Sequence, residues 1–141
     1  MTKPTIGIIG AGKVGQTLAR LWNEAGYTIA GVYSRDSEHA ELLARQVGAE
    51  VMRIPAQVIQ QAELTLLCVP DDVIVPLAEE IASQVGAVKL TGKAVIHTSG
   101  SRDKQALVTL ENLDLFTGSL HPAFPFADVE SAIEGLRGAA F

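Results

Sequence analysis

A chain of 141 residues, 48% hydrophobic and 19% charged, has the composition of one soluble globular domain, long enough to bury roughly 68% of the surface it exposes unfolded. Its 16 acidic and 11 basic side chains leave a net charge of -5, which argues against nucleic acid or an anionic membrane as the main partner and makes any anion site a local feature. No apolar run approaches the roughly 18 residues of a membrane span. The opening Met1-Thr-Lys-Pro4 leads into a strand pattern without a signal peptide's apolar region. The one cysteine, Cys68, excludes an internal disulfide and suits a reducing cytoplasm, the expected location.

In chain order, the β-branched run Ile6, Ile8, Ile9 predicts a buried strand, and Val14, Leu18, Leu21, Trp22 predict a helix behind it. Between them lies Gly10-Ala11-Gly12-Lys13-Val14-Gly15. Gly10 permits the tight turn, Gly12 lets a pyrophosphate approach the backbone, and Gly15 lets the helix pack closely on the strand. The ligand's charge then meets free N–H groups at a helix N-terminus. The alternative is a bland glycine turn, since a chain with 13 glycines offers chance matches. The helix is expected to end at Asn23 to Gly26, with Gly26 at C′. A second strand follows over 27–33, then the turn Ser34-Arg35-Asp36-Ser37, a helix over 37–47 ending at Gly48, a short strand at 50–53, and a brief helix at 56–62 opened by Pro55.

The apolar run at 64–69 suits a central parallel strand covered on both faces, and Cys68 inside it reads as a small core hydrophobe. After Pro70-Asp71-Asp72 a helix is expected over 73–84, with Pro76 tolerable only in its first turn. A connector at 86–93, a strand at 94–98 ending in Ser99-Gly100-Ser101, a helix around 104–110 and a sixth strand at 115–120 closed by His121-Pro122 complete the alternation. A short helical piece near 129–134 and an edge strand at 138–141 end the chain.

Strands alternating with helices at this spacing imply βαβ units, right-handed crossovers and a parallel sheet. With the glycine fingerprint at the first crossover, the expected fold class is α/β: a doubly wound, mainly parallel Rossmann sheet with helices on both faces, filling 1–141 as one domain. Ligands of such sheets sit beyond the carboxyl ends of the strands. The loops at 10–15, 34–37, 70–72, 98–101 and 121–126 therefore carry the chemistry.

NAD sites place an Asp or Glu about 20 residues beyond the glycines, on the ribose 2′-hydroxyl. Here Ser34 holds that position, followed by Arg35. A carboxylate would repel a 2′-phosphate, whereas a hydroxyl and a guanidinium donate charge-assisted hydrogen bonds to it. The expected cofactor is NADP; the alternative is a solvated Arg35, with Asp36 binding the ribose. In the later loops, Ser99 and Ser101 are candidates to bind a substrate oxygen or relay a proton, although either suits a helix cap. His121 is a candidate general acid–base group, its unperturbed pKa lying near neutrality, or simply a loop histidine. His97, within a strand, reads as structural and His39 as an exposed helix residue. Phe124 and Phe126 suit a pocket cover or a docking face. No metal site is expected.

The segments Gly10-Ala-Gly-Lys-Val-Gly15, Val32-Tyr-Ser-Arg35, Cys68-Val-Pro-Asp-Asp-Val73, His97-Thr-Ser-Gly-Ser101 and Gly118-Ser-Leu-His-Pro122 come in an order that resembles the NADP-binding domain of the 6-phosphogluconate-dehydrogenase-like superfamily. The chain is most similar to oxidoreductases that join a Rossmann-like domain to a C-terminal helical domain of unknown function (the DUF2520 type). It is more distantly similar to pyrroline-5-carboxylate reductase, ketopantoate reductase and prephenate dehydrogenase. The resemblance covers essentially the whole chain. In prephenate dehydrogenases a His-Pro after the sixth strand contacts the reacting hydroxyl, assisted by a serine after the fifth. The resemblance implies those roles for His121 and for Ser99 or Ser101. It also implies a Val-Pro loop over the cofactor's ribose and nicotinamide side, here Val69, Pro70 and Asp71.

Such relatives continue into an all-helical domain that forms the dimer and closes the substrate pocket. This chain ends at Phe141, which leads to the expectation of a minimal form or a truncated one, with a homo-oligomer or the helical domain covering the remaining apolar patch. The expected function is the NADP-binding domain of a dehydrogenase or reductase acting on a small carbonyl, imine or hydroxy-acid substrate. The alternative is an NADP(H)-binding sensor without turnover. A sensor needs the glycine turn with Ser34 and Arg35 but has no use for His121 and Ser99.

Overall fold

The computed structural model describes residues 3–86, 90–98, 107, 110 and 113–119. Their elements, in order, are β1 (Ile6–Ile9), α1 (Lys13–Glu24), β2 (Ile29–Tyr33), α2 (Ser37–Val47), β3 (Glu50–Val51), α3 (Pro55–Gln61), β4 (Leu64–Leu67), α4 (Asp71–Val85), β5 (Ala94–His97) and β6 (Phe116–Ser119). The strands form one sheet in the order β3-β2-β1-β4-β5-β6, and every pairing is parallel. The chain thus winds outward from β1 in one direction and, from β4 onward, in the other. This is the doubly wound α/β arrangement the sequence predicts, and its reversal between β1 and β4 opens a crevice above their carboxyl ends.

Because successive strand residues face opposite sides, the apolar strands feed two cores. Ile6, Ile8, Val32 and Leu66 pack with Leu18 of α1 and Leu43 of α2 on one face. Ile9, Leu67 and Val95 pack with Ile59 of α3 and with Ile74, Leu77 and Ile81 of α4 on the other. The helix expected around 104–110 lies mostly outside the described residues, but its Leu107 and Leu110 are buried in this second core. One irregularity keeps β2 in phase. Ile6 pairs with Ile29 while Gly7 pairs with Gly31, so Ala30 is an extra residue, and Ile29 and Val32 both enter the α1–α2 core.

The helix ends follow local chemistry. The Gly26 amide donates to the Asn23 carbonyl at 3.1 Å and the Tyr27 amide to Trp22 at 2.9 Å, with Gly26 at φ 96°. This is the glycine-terminated closure expected there, and it consumes the Tyr27 amide, which is why β2 starts at Ile29 and not at 27. Asp36 caps α2, and Gly48, left-handed at φ 69°, ends it. Helix α4 departs from expectation. It begins at Asp71, two residues early, with two carboxylates in its first turn, and it contains Pro76 in its interior. Pro76 is on the exposed side while Ile74, Leu77, Ala78 and Ile81 are buried, so core burial outweighs the amide the proline cannot supply. The segments 129–134 and 138–141 lie outside the described residues. No helix among the described residues is long and apolar enough to cross a membrane.

Candidate functional site

The turn after β1 is built by close backbone approach. Gly10 sits at φ 103°, where a β-carbon would strike the Cys68 carbonyl; its amide donates to the Tyr33 carbonyl at 2.7 Å. A β-carbon on Gly15 would in turn overlap the Gly10 carbonyl oxygen. Gly12 is different: no heavy atom lies within 4 Å of where its β-carbon would stand, and that side of the turn is open.

Gly12 is also the N-cap residue of α1, with no side-chain cap and no acidic residue in the first turn. The N-terminus of α2, by contrast, is capped by Asp36, and that of α4 carries Asp71 and Asp72. Among the described residues, then, no capping side chain or first-turn carboxylate offsets the positive end of α1 where the backbone is open, which is the chemistry of an anion site.

This turn forms one wall of a cleft of about 260 Å³ above the switch point. Gly10, Ala11 and Gly12 line it from the turn, Tyr33, Ser34 and Arg35 from the end of β2, and Cys68, Val69 and Pro70 from the end of β4. The structure thus brings together seven of the eleven residues expected to bind the cofactor. The other four stand beside the cleft. Lys13 and Asp71 are exposed at the starts of α1 and α4, Val14 packs against the α1–α2 core, and Gly15 is buried beneath the turn.

At the rim, the Ser34 hydroxyl accepts the Asp36 amide at 3.3 Å, which leaves its own proton to be donated. Asp36, the rival ribose ligand, is committed elsewhere: one carboxylate oxygen accepts the amides of Glu38 and His39 at 3.0 and 3.2 Å. Ser34 and Arg35 line the cleft and Asp36 does not.

Five lining residues were not among those expected at the site: Ile9, Tyr33, Cys68, Val73 and Leu77. Ile9 and Tyr33 immediately precede expected site residues. The spacing of Val73 and Leu77, one helical turn apart after Pro70, is the only sequence signal for the apolar wall they form. Cys68 is buried at the floor of the cleft, and its burial pushes the thiol up to about 12, against the opposing effect of a hydrogen bond with Thr98. It is an inert thiol, as expected of a core residue. His97 is fully buried in β5, and His39 is exposed on α2. His121, Ser99, Ser101, Phe124 and Phe126 lie outside the described residues. Among those described, no group of three or more His, Cys, Asp or Glu is placed to hold a metal.

A family profile described as a Rossmann-like domain matches residues 1–122. None of the curated proteins compared with the chain matches it. Among solved structures, an imine reductase from Pseudomonas sp. superposes with a TM-score of 0.72 at 22% identity, over 87% of this chain and 42% of its own. A candidate NADP oxidoreductase from Bacteroides fragilis gives 0.71 at 28% identity, over 88% and 46%. The 3-hydroxyisobutyrate dehydrogenase of Mycobacterium tuberculosis gives 0.75 at 14% identity, over 94% and 44%. The chain thus spans less than half the length of each of these structures.

Proposed function

The chain belongs to the Rossmann-like domain family, and on that premise we propose that it is a member of the 6-phosphogluconate-dehydrogenase-like superfamily and the NADP-binding portion of an NADP-dependent dehydrogenase or reductase acting on a small carbonyl, imine or hydroxy-acid substrate. The observation that carries this reading is the cleft's pairing of two anion-accepting ends. The uncapped α1 N-terminus with its open Gly12 suits a pyrophosphate, and Ser34 with Arg35 suits a ribose 2′-phosphate while Asp36 is held by α2. A nucleotide spanning them would lay its sugars along Val69 and Pro70, with Val73 and Leu77 excluding water from one side.

In this reading the residues bind and orient, and the bound cofactor supplies the hydride. His121 exchanges the proton of the alcohol/carbonyl or amine/imine couple, and Ser99 or Ser101 hydrogen-bonds the same heteroatom. Closure of the substrate side is assigned to a second copy or a helical domain, and the working compartment to the cytoplasm.

Calorimetric titration of the chain with NADPH and with NADH tests the cofactor reading. Heat is a better signal than Trp22 emission, because Trp22 packs against the α1–α2 core, away from the cleft lining. NADPH is expected to bind at least tenfold tighter than NADH, about 1.4 kcal/mol, and Arg35→Ala to remove that preference. Absence of NADPH binding at millimolar concentration would overturn the reading.

A further inference from the structure

β3 is the outermost strand on the β2 side of the sheet. The Met52 amide donates to the Val32 carbonyl at 2.8 Å, and Val32 pairs with Val51. The backbone groups of Glu50 and Met52 therefore face β2, and those of Ala49, Val51 and Arg53 face off the edge. Two of the three outward amides are already used. Ala49 donates to the Ala44 carbonyl at 2.9 Å and Arg53 to the Gln57 side chain at 3.0 Å. Among the described residues the Val51 amide and carbonyl have no partner. The Val51 side chain is exposed, on the face that carries α2, as is that of its pairing partner Val32.

Along this edge runs a groove of about 540 Å³, lined by Glu41, Ala44, Arg45 and Gly48 from one side of α2 and by Ala49 and Val51. Its wall is low: a β-carbon on Gly48 would meet nothing within 4 Å. Its two charges are of opposite sign and one helical turn apart, yet not joined to each other. Arg45 Nε donates to the Glu41 backbone carbonyl at 3.4 Å, and among the described residues neither charged group forms an ion pair.

We propose that this edge is a homodimer interface. A second copy, related by a twofold axis normal to the sheet, pairs its β3 with this β3 and sets its α2 beside this α2, Glu41 of each facing Arg45 of the other. None of these residues lines the nucleotide cleft, so the proposal stands apart from the cofactor reading. It also lies at the far end of the sheet from β5 and β6 and leaves the substrate side to other contacts.

A twofold axis brings the two edges together antiparallel, with the same patch on both copies. With Val51 opposite its own copy, the two residues exchange both N–H···O bonds, which uses the one outward pair left open. Other registers would set Val51 against Ala49 or Arg53, whose amides are taken. The same axis serves the helices. α2 is the crossover between parallel strands and runs antiparallel to them. At about 3.3 Å per strand residue and about 1.5 Å per helix residue, Val51 stands level with the middle of α2, between Glu41 and Arg45. Two helices packed about 8–10 Å apart need small residues where they touch, and Ala44 and Gly48 supply them. A patch of one sign would repel its own copy and select an opposite partner; a patch with both signs placed about its centre selects itself. An interface this small belongs to the weak, reversible class.

Sedimentation equilibrium from about 1 μM to about 1 mM is expected to show a monomer–dimer equilibrium. Arg45→Glu and Glu41→Arg each set like charges across the axis and are expected to raise the dissociation constant at least about tenfold. The double exchange, Glu41→Arg with Arg45→Glu, is expected to restore it. Val51→Pro, which an edge strand tolerates, removes the donated amide and is expected to weaken the dimer likewise. Circular dichroism confirms the fold of each variant, and the double exchange keeps the charges of the original protein. A monomer throughout the range, a dimer indifferent to the single exchanges, or a double exchange no tighter than the singles overturns the interface. Absence of NADPH binding overturns the cofactor reading and leaves this interface standing.

Discussion

A β-carbon on Gly15 would overlap the carbonyl oxygen of Gly10, so the first turn of α1 is seated directly on the loop that closes β1. Gly15→Ala must push the helix off that loop, and it is expected to cost about 1–3 kcal/mol and to abolish nucleotide binding. Gly12→Ala meets no neighbour within 4 Å and should cost less than about 1 kcal/mol, the loss of a mediocre cap. Yet it fills the open side of the turn, and NADPH affinity should fall at least about tenfold. Thermal melts and calorimetry on the two variants separate fold from binding. A Gly12 variant that binds normally would show that the ligand does not approach there.

Lys93 ties β5 to α3. Its ammonium donates to the carbonyls of Gln60 and Ala62, at 2.9 and 3.1 Å, where α3 ends. Two helix-end carbonyls are thereby satisfied by a positive charge at the negative end of the helix dipole. Lys93→Met retains most of the aliphatic bulk and should lose about 1–2 kcal/mol in denaturant unfolding without changing nucleotide affinity.

The raised pKa of Cys68 has a definite pH consequence. A thiol held neutral in the fold up to about 12, against 9.0 ordinarily, contributes stability that is complete below the lower value and lost as pH rises toward the upper one. In that window the unfolded chain has released the proton and the folded chain has not, so stability falls by up to about 1.4 kcal/mol per pH unit. The melting temperature of Cys68→Ala should decline less steeply over this window than that of the unsubstituted protein. Iodoacetamide should label Cys68 at mildly alkaline pH only when the protein is unfolded.

Pro76 leaves the Asp72 carbonyl without the amide of a regular helix. Because Pro76 is exposed, Pro76→Ala restores that bond without disturbing the core and should stabilise the protein by up to about 3 kcal/mol, less whatever chain entropy it returns to the unfolded state. A fall in the urea midpoint would mean that Pro76 itself is needed to dock α4.

What the sequence disclosed most clearly was punctuation. The glycine turn at 10–15, the helix stops at Gly26 and Gly48, and the unbroken run at 64–69 each impose a local geometry that few other residues accept, and the alternation of strands and helices follows from them. Departures occurred where tertiary contacts decide. Ala30 becomes an extra residue because β2 must match β1, which no local pattern records. α4 accepts Pro76 because the opposite face is committed to the core. Within the site, Ser34 and Arg35 were legible from their distance to the glycines. Tyr33, Val73 and Leu77 were not, since an apolar residue at a strand end or in an early helical turn looks the same whether it faces a cleft or a core.

The hydrogen bond from the Gly10 amide to the Tyr33 carbonyl joins the glycine turn to the residue just before Ser34. The two ends of the cleft are therefore marks on one ruler, whose length the sheet sets before any ligand arrives. On the NADP reading proposed above, a nucleotide whose second phosphate is carried on the ribose 3′-oxygen is expected to meet one mark and miss the other.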